Sequence, residues 1–122
     1  MALQINPALD IAYIDQAYGE DPVILHMIFD AFLSDSLPRW RALENALSRD
    51  DRKESASIVH GLKPSFTMTG LTGIRPRVEV LEKAIKDEAD AGELMEMYTA
   101  ISKDLDIFIP ILETESARLK LM

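Results

Sequence analysis

The chain has 122 residues, 48% hydrophobic and 28% charged, which is the size and balance of one globular domain spanning residues 1–122. It contains no cysteine, so disulfides, thiolate metal sites and a cysteine nucleophile are excluded. Thirteen basic against 21 acidic residues give a formal net charge of −8, which opposes binding to nucleic acid or to an anionic membrane surface.

In chain order, the opening MALQINPALD lacks the basic start and apolar core of a leader. The densest apolar stretch, Pro22 to Leu33, is broken by His26 and Asp30, so no membrane span is expected and the location expected is cytoplasmic. Strand-like alternation is absent and the hydrophobic period is helical throughout, which predicts an all-α fold. A short first helix runs from Asp10 to Tyr18 with Gly19 to stop it, and reads as a lid on a larger bundle. Asp21-Pro22 has the pattern of an N-cap followed by proline at the first helical position. The stripe that follows, Leu25, Phe29, Phe32, Trp40, Leu43 and Leu47, puts Ser36 where Leu37 or Pro38 should meet it. That mismatch predicts one long helix kinked near Pro38, or two nearly collinear ones. Asp51 with Glu54 forms a capping-box pattern opening a helix to Gly70, with Gly70 and Gly73 able to end it. Another helix is predicted from Arg75 to Ala89, with Ile74, Val78, Leu81 and Ile85 on one side. The last carries Leu94, Met97, Ile101, Leu105, Phe108 and Leu112 and passes Pro110, which predicts a bend. Four long amphipathic helices with short connections make an antiparallel four-helix bundle with a short N-terminal lid helix. The six methionines read as core filler at helical spacing.

Charge is unevenly placed along these elements. Residues 39–77 hold eight basic side chains, including Arg39, Lys53, Lys63, Arg75 and Arg77, against four acidic ones, a local +4 between acidic flanks. Such a middle suggests an anionic partner.

Projecting Asp51 to Gly70 at roughly 100° per residue puts Ile58, Val59, Leu62, Ser65, Phe66 and Thr69 on one core-facing side. His60 points the other way. Within about 60° of it lie Lys53, Ala56, Ser57, Lys63, Pro64 and Thr67, with Met68 at the edge. A lone histidine on a wet face is usually an ordinary surface residue, but this one sits in the string His60-Gly61-Leu62-Lys63-Pro64-Ser65, with Gly70 ten residues on and Leu81-Glu82 on the next helix. The string resembles the histidine phosphotransfer (HPt) family, whose usual pattern is His-x-Leu-Lys-Gly-Ser/Ala with a glycine ten residues after the histidine. The resemblance covers residues 9 to 115 in pattern, and His60, Leu62, Lys63, Ser65 and Gly70 match. Pro64 departs from it: a proline there removes a donor to the His60 carbonyl, predicts a local kink and adds bulk beside the histidine.

The resemblance implies that His60 accepts a phosphoryl group from a receiver-domain aspartate of a response regulator and passes it to another receiver. It implies that Lys63, one turn along, stabilises the phosphoryl oxygens. Lys53, Ala56, Ser57, Pro64, Thr67 and Met68 would then face the docked partner, and Arg75 and Arg77 would be surface or docking residues farther off. The expected partners are receiver domains and a hybrid histidine kinase; Mg²⁺ is expected in the receiver, and no cofactor in this chain. Without a glycine-rich nucleotide loop, the chain reads as a phosphocarrier rather than an enzyme with its own turnover. Met1 and a complete bundle favour a free-standing protein, expected as a monomer, with a helix-swapped dimer as the alternative. The competing function is a non-transferring helical module that docks on receivers as an inhibitor or scaffold, with Pro64 in its favour. His26 and Asp30, at i and i+4, lack a third nitrogen ligand and any Glu-x-x-His pair, so they read as a hydrogen-bonded pair and not as a metal site.

Overall fold

The computed structural model describes residues 4–122; residues 1–3, the start of the stretch read as lacking a leader, lie outside it. All regular elements among the described residues are helical. Asp10 caps α1 (Ile11–Tyr18) by accepting from the Tyr13 N–H at 3.0 Å, and Gly19, at φ 60°, ends it. The N-cap of α2 (Pro22–Ala31) is Asp21, which accepts from the N–H groups of Val23 and Ile24. Both starts follow the sequence pattern.

From Ala31 the chain passes without a break through a π-helical turn, Phe32–Ser36, into α3 (Leu37–Ser48). The Leu37 N–H bonds to the Phe32 carbonyl, five residues back. The turn thus holds one residue more than an α-helical turn. This explains the interrupted stripe: the inward step after Phe32 is five residues, to Leu37, and not four, to Ser36. The wide turn also precedes Pro38, which lacks an N–H to give to the preceding turn.

Asp50, at φ 55°, reverses the chain after α3, and the Asp51 N–H bonds to the Ala46 carbonyl at 2.9 Å. That bond leaves only half of the expected capping box. Asp51 accepts from the Glu54 N–H at 3.0 Å, but the Glu54 carboxylate turns to Arg49 at 2.7 Å because the Asp51 donor is already used. Helix α4 (Arg52–Met68) then runs unbroken through Pro64. Gly70, at φ 80°, ends it, with the Leu71 N–H returned to the Phe66 carbonyl. Helix α5 (Arg75–Lys86) stops three residues short of the expected Ala89, because Glu88, at φ 61°, turns the chain and the Ala89 N–H caps the Ala84 carbonyl. Asp90 caps α6 (Ala91–Lys120), which continues across Pro110 for a length of about 45 Å at 1.5 Å per residue.

The α2–α3 rod, α4, α5 and α6 form the four-helix bundle. Within it α2 packs on α6, α3 on α4 and α6, and α5 on α4 and α6. Trp40 is central: its ring stacks on Tyr98 at 4.9 Å, meets Phe66 edge-on at 5.6 Å, and Phe66 meets Phe32 in the same way. The polar atoms of this cluster are bonded, with Trp40 Nε1–H on Ser102 Oγ and Tyr98 O–H on the Trp40 carbonyl. Helix α1 is the lid. The Asp10 N–H bonds to the Gly70 carbonyl, Thr72 donates to the Asp10 carboxylate at 2.6 Å and Tyr18 donates to the Met68 carbonyl.

Two expectations fail. The methionines are not core filler as a set: Met27, Met68 and Met122 are exposed, and among the five described only Met95 and Met97 pack, half-buried, against the core, since leucine, isoleucine and aromatic side chains fill the interior. His26 does not pair with Asp30. Because α2 lies against α6, His26 Nδ1 meets the Ser116 carbonyl at 2.9 Å and Ser116 Oγ at 3.0 Å, while Asp30 is exposed.

Candidate functional site

Helix α4 carries His60 on the side turned from the core. Val59, Leu62, Phe66 and Thr69 are buried on the inner side, with Ile58 and Ser65 half-buried beside them, as the projection requires. The His60 side chain is 70% exposed, so it owes its position to a single polar contact. Its Nδ1 lies 2.9 Å from Oε2 of Glu82, on α5.

Glu82 organises the site. Its side chain is only 7% exposed, and it takes Lys63 Nζ on Oε1 at 2.7 Å while Lys86 Nζ stands 3.4 Å from Oε2. Burial pushes the Glu82 carboxyl up, but hydrogen bonds from Lys63, His60 and Lys86 outweigh that effect and hold it below its ordinary value. Glu82 is thus ionised at neutral pH and can only accept. Nδ1 of neutral His60 must carry the ring proton, which leaves the lone pair on Nε2. The contact therefore selects the tautomer with the proton on Nδ1 and a free lone pair on Nε2.

Lys63 occupies a different place from the one its helical position suggests. At about 60° from His60 it was expected to stand free on the wet face. It instead lays its stem along the α4–α5 seam, 19% exposed, and commits its ammonium to Glu82, because a buried carboxylate nearby offers a stronger partner than water. Of the remaining face residues, Lys53, Ser57, Pro64 and Met68 are exposed, whereas Ala56 and Thr67 are half-buried. The Thr67 hydroxyl accepts from Arg75 Nη1 at 2.6 Å. Arg75 thus reaches back to the end of α4, two turns from His60. Pro64 lies one turn beyond His60, and the His60 carbonyl loses the helical donor that residue 64 would supply.

Much of the basic block is neutralised within the protein. Arg49 pairs with Glu54 and Asp51, Arg52 with Asp50, Arg75 with Glu79 and Arg77 with Asp104. The positive groups left around His60 are Lys53, the Glu82-bound lysines and Arg39 of α3, whose guanidinium lies against Gly61. Sequence reasoning gave neither Glu82 nor Arg39 a role. A signal for Glu82 was available, since it falls four residues after Val78 on the inward side of α5 beside Leu81, where a lone carboxylate demands a partner. Arg39 left no such signal, because its approach to Gly61 depends on how α3 and α4 pack.

Among the described residues no group of three or more His, Cys, Asp or Glu side chains is gathered to hold a metal ion, and no helix is long and apolar enough to cross a membrane. No curated protein and no solved structure matches the chain. Residues 27–117 match the family model described as the Hpt domain, a match over about three-quarters of the chain that takes in α3, α4, α5 and the His60–Glu82 pair. With an exposed histidine on a four-helix bundle and that match, the chain belongs to the Hpt family of histidine phosphotransfer domains, phosphocarriers of two-component signalling.

Proposed function

We propose that the protein is a cytoplasmic phosphorelay intermediate that takes a phosphoryl group on His60 from the aspartate of one receiver and gives it to another. The observation that supports this reading best is the Nδ1 contact to Glu82, which orients an exposed imidazole and leaves the Nε2 lone pair available.

In the forward step, Nε2 attacks phosphorus in line as the bond from phosphorus to the aspartyl oxygen breaks, and the aspartate leaves as a carboxylate with the electron pair. Nδ1 keeps its proton throughout, so no separate base is needed. The ring becomes cationic as the nitrogen–phosphorus bond forms, and the ionised Glu82 at 2.9 Å stabilises that charge more than it stabilises the neutral ring. Transfer to the second receiver is the reverse. Lys63 and Lys86 offset the charge of Glu82, so the carboxylate does not repel the incoming phosphoryl group. Lys63 acts first by holding Glu82, and reaches the phosphoryl oxygens only by exchanging that partner. Mg²⁺ is assigned to the acidic pocket of the receiver. Lys53, Ala56, Ser57, Pro64, Thr67 and Met68 form the docking face, with Lys53 directed to the receiver's acids.

The second reading, a module that docks without transferring, rests on the exposed Pro64 one turn from His60. One experiment separates the two. The wild type and His60→Gln are incubated with a small phosphoramidate donor, and intact mass is measured before and after acid and base treatment. A phosphate adduct that is acid-labile, base-stable and absent from His60→Gln is the expected result. A folded wild type without the adduct would overturn the carrier reading and favour the docking module.

A further inference from the structure

Gly61, next to His60, is in ordinary helical conformation and does not need glycine for its backbone. What it provides is space. A Cβ at this position would stand 3.3 Å from Nη2, 3.6 Å from Nη1 and 3.9 Å from Cζ of Arg39, so the forked end of the guanidinium lies against the bare Gly61 backbone. Arg39 follows Pro38 on α3, is exposed, and has no hydrogen-bond or ion-pair partner among the described residues. An arginine held against a helix without a carboxylate is a cation with its donors unused.

Its position complements that of Glu82. Gly61 is about 100° from His60 around α4, on the α3 side, whereas Lys63 is about 60° away on the α5 side. His60 is therefore flanked by a neutralised cluster on one side, where Lys63 and Lys86 are bound to Glu82, and by an uncommitted guanidinium on the other.

We propose that Arg39 is a phosphoryl-binding residue of this site: its guanidinium takes non-bridging oxygens of the phosphoryl group on His60, and Gly61 is the gap through which it reaches them. This rests on the reading of His60 as the phospho-acceptor. The fork matches two oxygens of one phosphoryl group, a geometry that an ammonium cannot reproduce. It also supplies positive charge without taking Lys63 away from Glu82, so the tautomer of His60 and the stabilisation of the phosphoryl group are served by different residues. No bond is made or broken by Arg39; it binds what Nε2 carries.

The test uses the full chain, phosphorylated with a small phosphoramidate, in wild type, Arg39→Ala, Arg39→Lys and Gly61→Ala forms. Phosphorylation rate, phospho-His60 lifetime and the ³¹P chemical shift are read together with helicity. Arg39→Ala is expected to shorten the lifetime or slow phosphorylation by about 3- to 10-fold, with a changed ³¹P shift and unchanged helicity. Arg39→Lys should recover part of the loss. Gly61→Ala, which pushes the guanidinium aside while leaving it in place chemically, should reproduce part of it. Wild-type rate, lifetime and shift in both Arg39→Ala and Gly61→Ala would overturn the role of Arg39 and leave the carrier reading intact. No adduct on wild-type His60 would overturn both. If Arg39→Ala lost its fold, wild-type behaviour of folded Arg39→Lys and Gly61→Ala would still overturn the proposal.

Discussion

Replacing Glu82 by Gln keeps the shape of the side chain and removes the charge that fixes the state of His60. The wild-type carboxylate accepts two short charge-assisted hydrogen bonds, from Lys63 at 2.7 Å and from His60 at 2.9 Å. Lys86, 3.4 Å away with its side chain 58% exposed, adds little. A hydrogen bond to a charged group is worth about 1.5–3 kcal/mol net. Losing the charge under Lys63 should therefore cost about 2 kcal/mol of stability, discounted from the upper figure because the lysine can still reach water. The share of the His60 bond that strengthens as the ring becomes cationic is lost from the transition state, which corresponds to roughly 10- to 100-fold slower phosphorylation. The amide can also accept or donate, so the tautomer is no longer dictated. Intact-mass kinetics with phosphoramidate give the rate, and long-range ¹H–¹⁵N NMR of His60 gives the tautomer. A Glu82→Gln protein phosphorylated at the wild-type rate with the proton still on Nδ1 would refute the reasoning. It would leave Glu82 as a partner for Lys63 alone.

Other predictions concern the lid, acid stability and Pro64. Gly70→Ala should destabilise the protein by about 2–3 kcal/mol, because φ 80° is strained for alanine and its Cβ would stand 2.8 Å from Ile14 Cδ1. Denaturant unfolding measures this, and a loss under about 0.5 kcal/mol would show that α1 simply moves aside. The carboxyls of Glu82 and Asp10 are both held below their ordinary values, Asp10 by the Thr72 hydroxyl and the Tyr13 N–H. A lowered folded pKa contributes stability that is present above the unfolded carboxyl value and lost as pH falls through the folded one. Melting temperature should therefore fall below about pH 4.5, and the drop should be shallower in Glu82→Gln; equal acid slopes in the two proteins would contradict this. Pro64→Gly restores a donor to the His60 carbonyl and removes the ring beside the histidine, so it should raise stability by about 2 kcal/mol and speed transfer with a receiver. Unchanged melting and transfer would show that the helix already accommodates the proline.

What could be read from sequence followed the reach of the forces involved. Asp21 and Asp51 announced their helices because a cap bonds to residues two or three positions away. The outward aspect of His60 followed from helical period alone. Lys63 was placed on the right helix face, but its ion pair with Glu82 was not legible, since an angle around α4 does not say that a buried carboxylate waits on α5. His26 failed in the same way, its partner being 90 residues distant on α6 and not one turn along. The local +4 overstated what a partner meets, because Arg77 finds Asp104, outside the counted window. The misfit of Ser36 in the apolar stripe did contain the π-helical turn, although a proline nearby made a kink the simpler account.

That turn also constrains how long this helix can be. Between Phe32 and Leu37 the rod carries a surplus residue, and Ser34 and Asp35 are both exposed. Deleting either would bring the leucine to the fourth position after Phe32, so the halves before and after the deletion would keep their inward aspects. Inserting one residue would instead rotate everything beyond by about 100°, carrying Trp40, Leu43 and Leu47 out of the interior. Shortening has its own penalty, because in a regular α-helix the ring of Pro38 would press on the carbonyl four residues before it. Hydrophobic phase opposes a rod one residue longer and the proline ring penalises one a residue shorter, so two unrelated requirements act against a change of one residue in either direction.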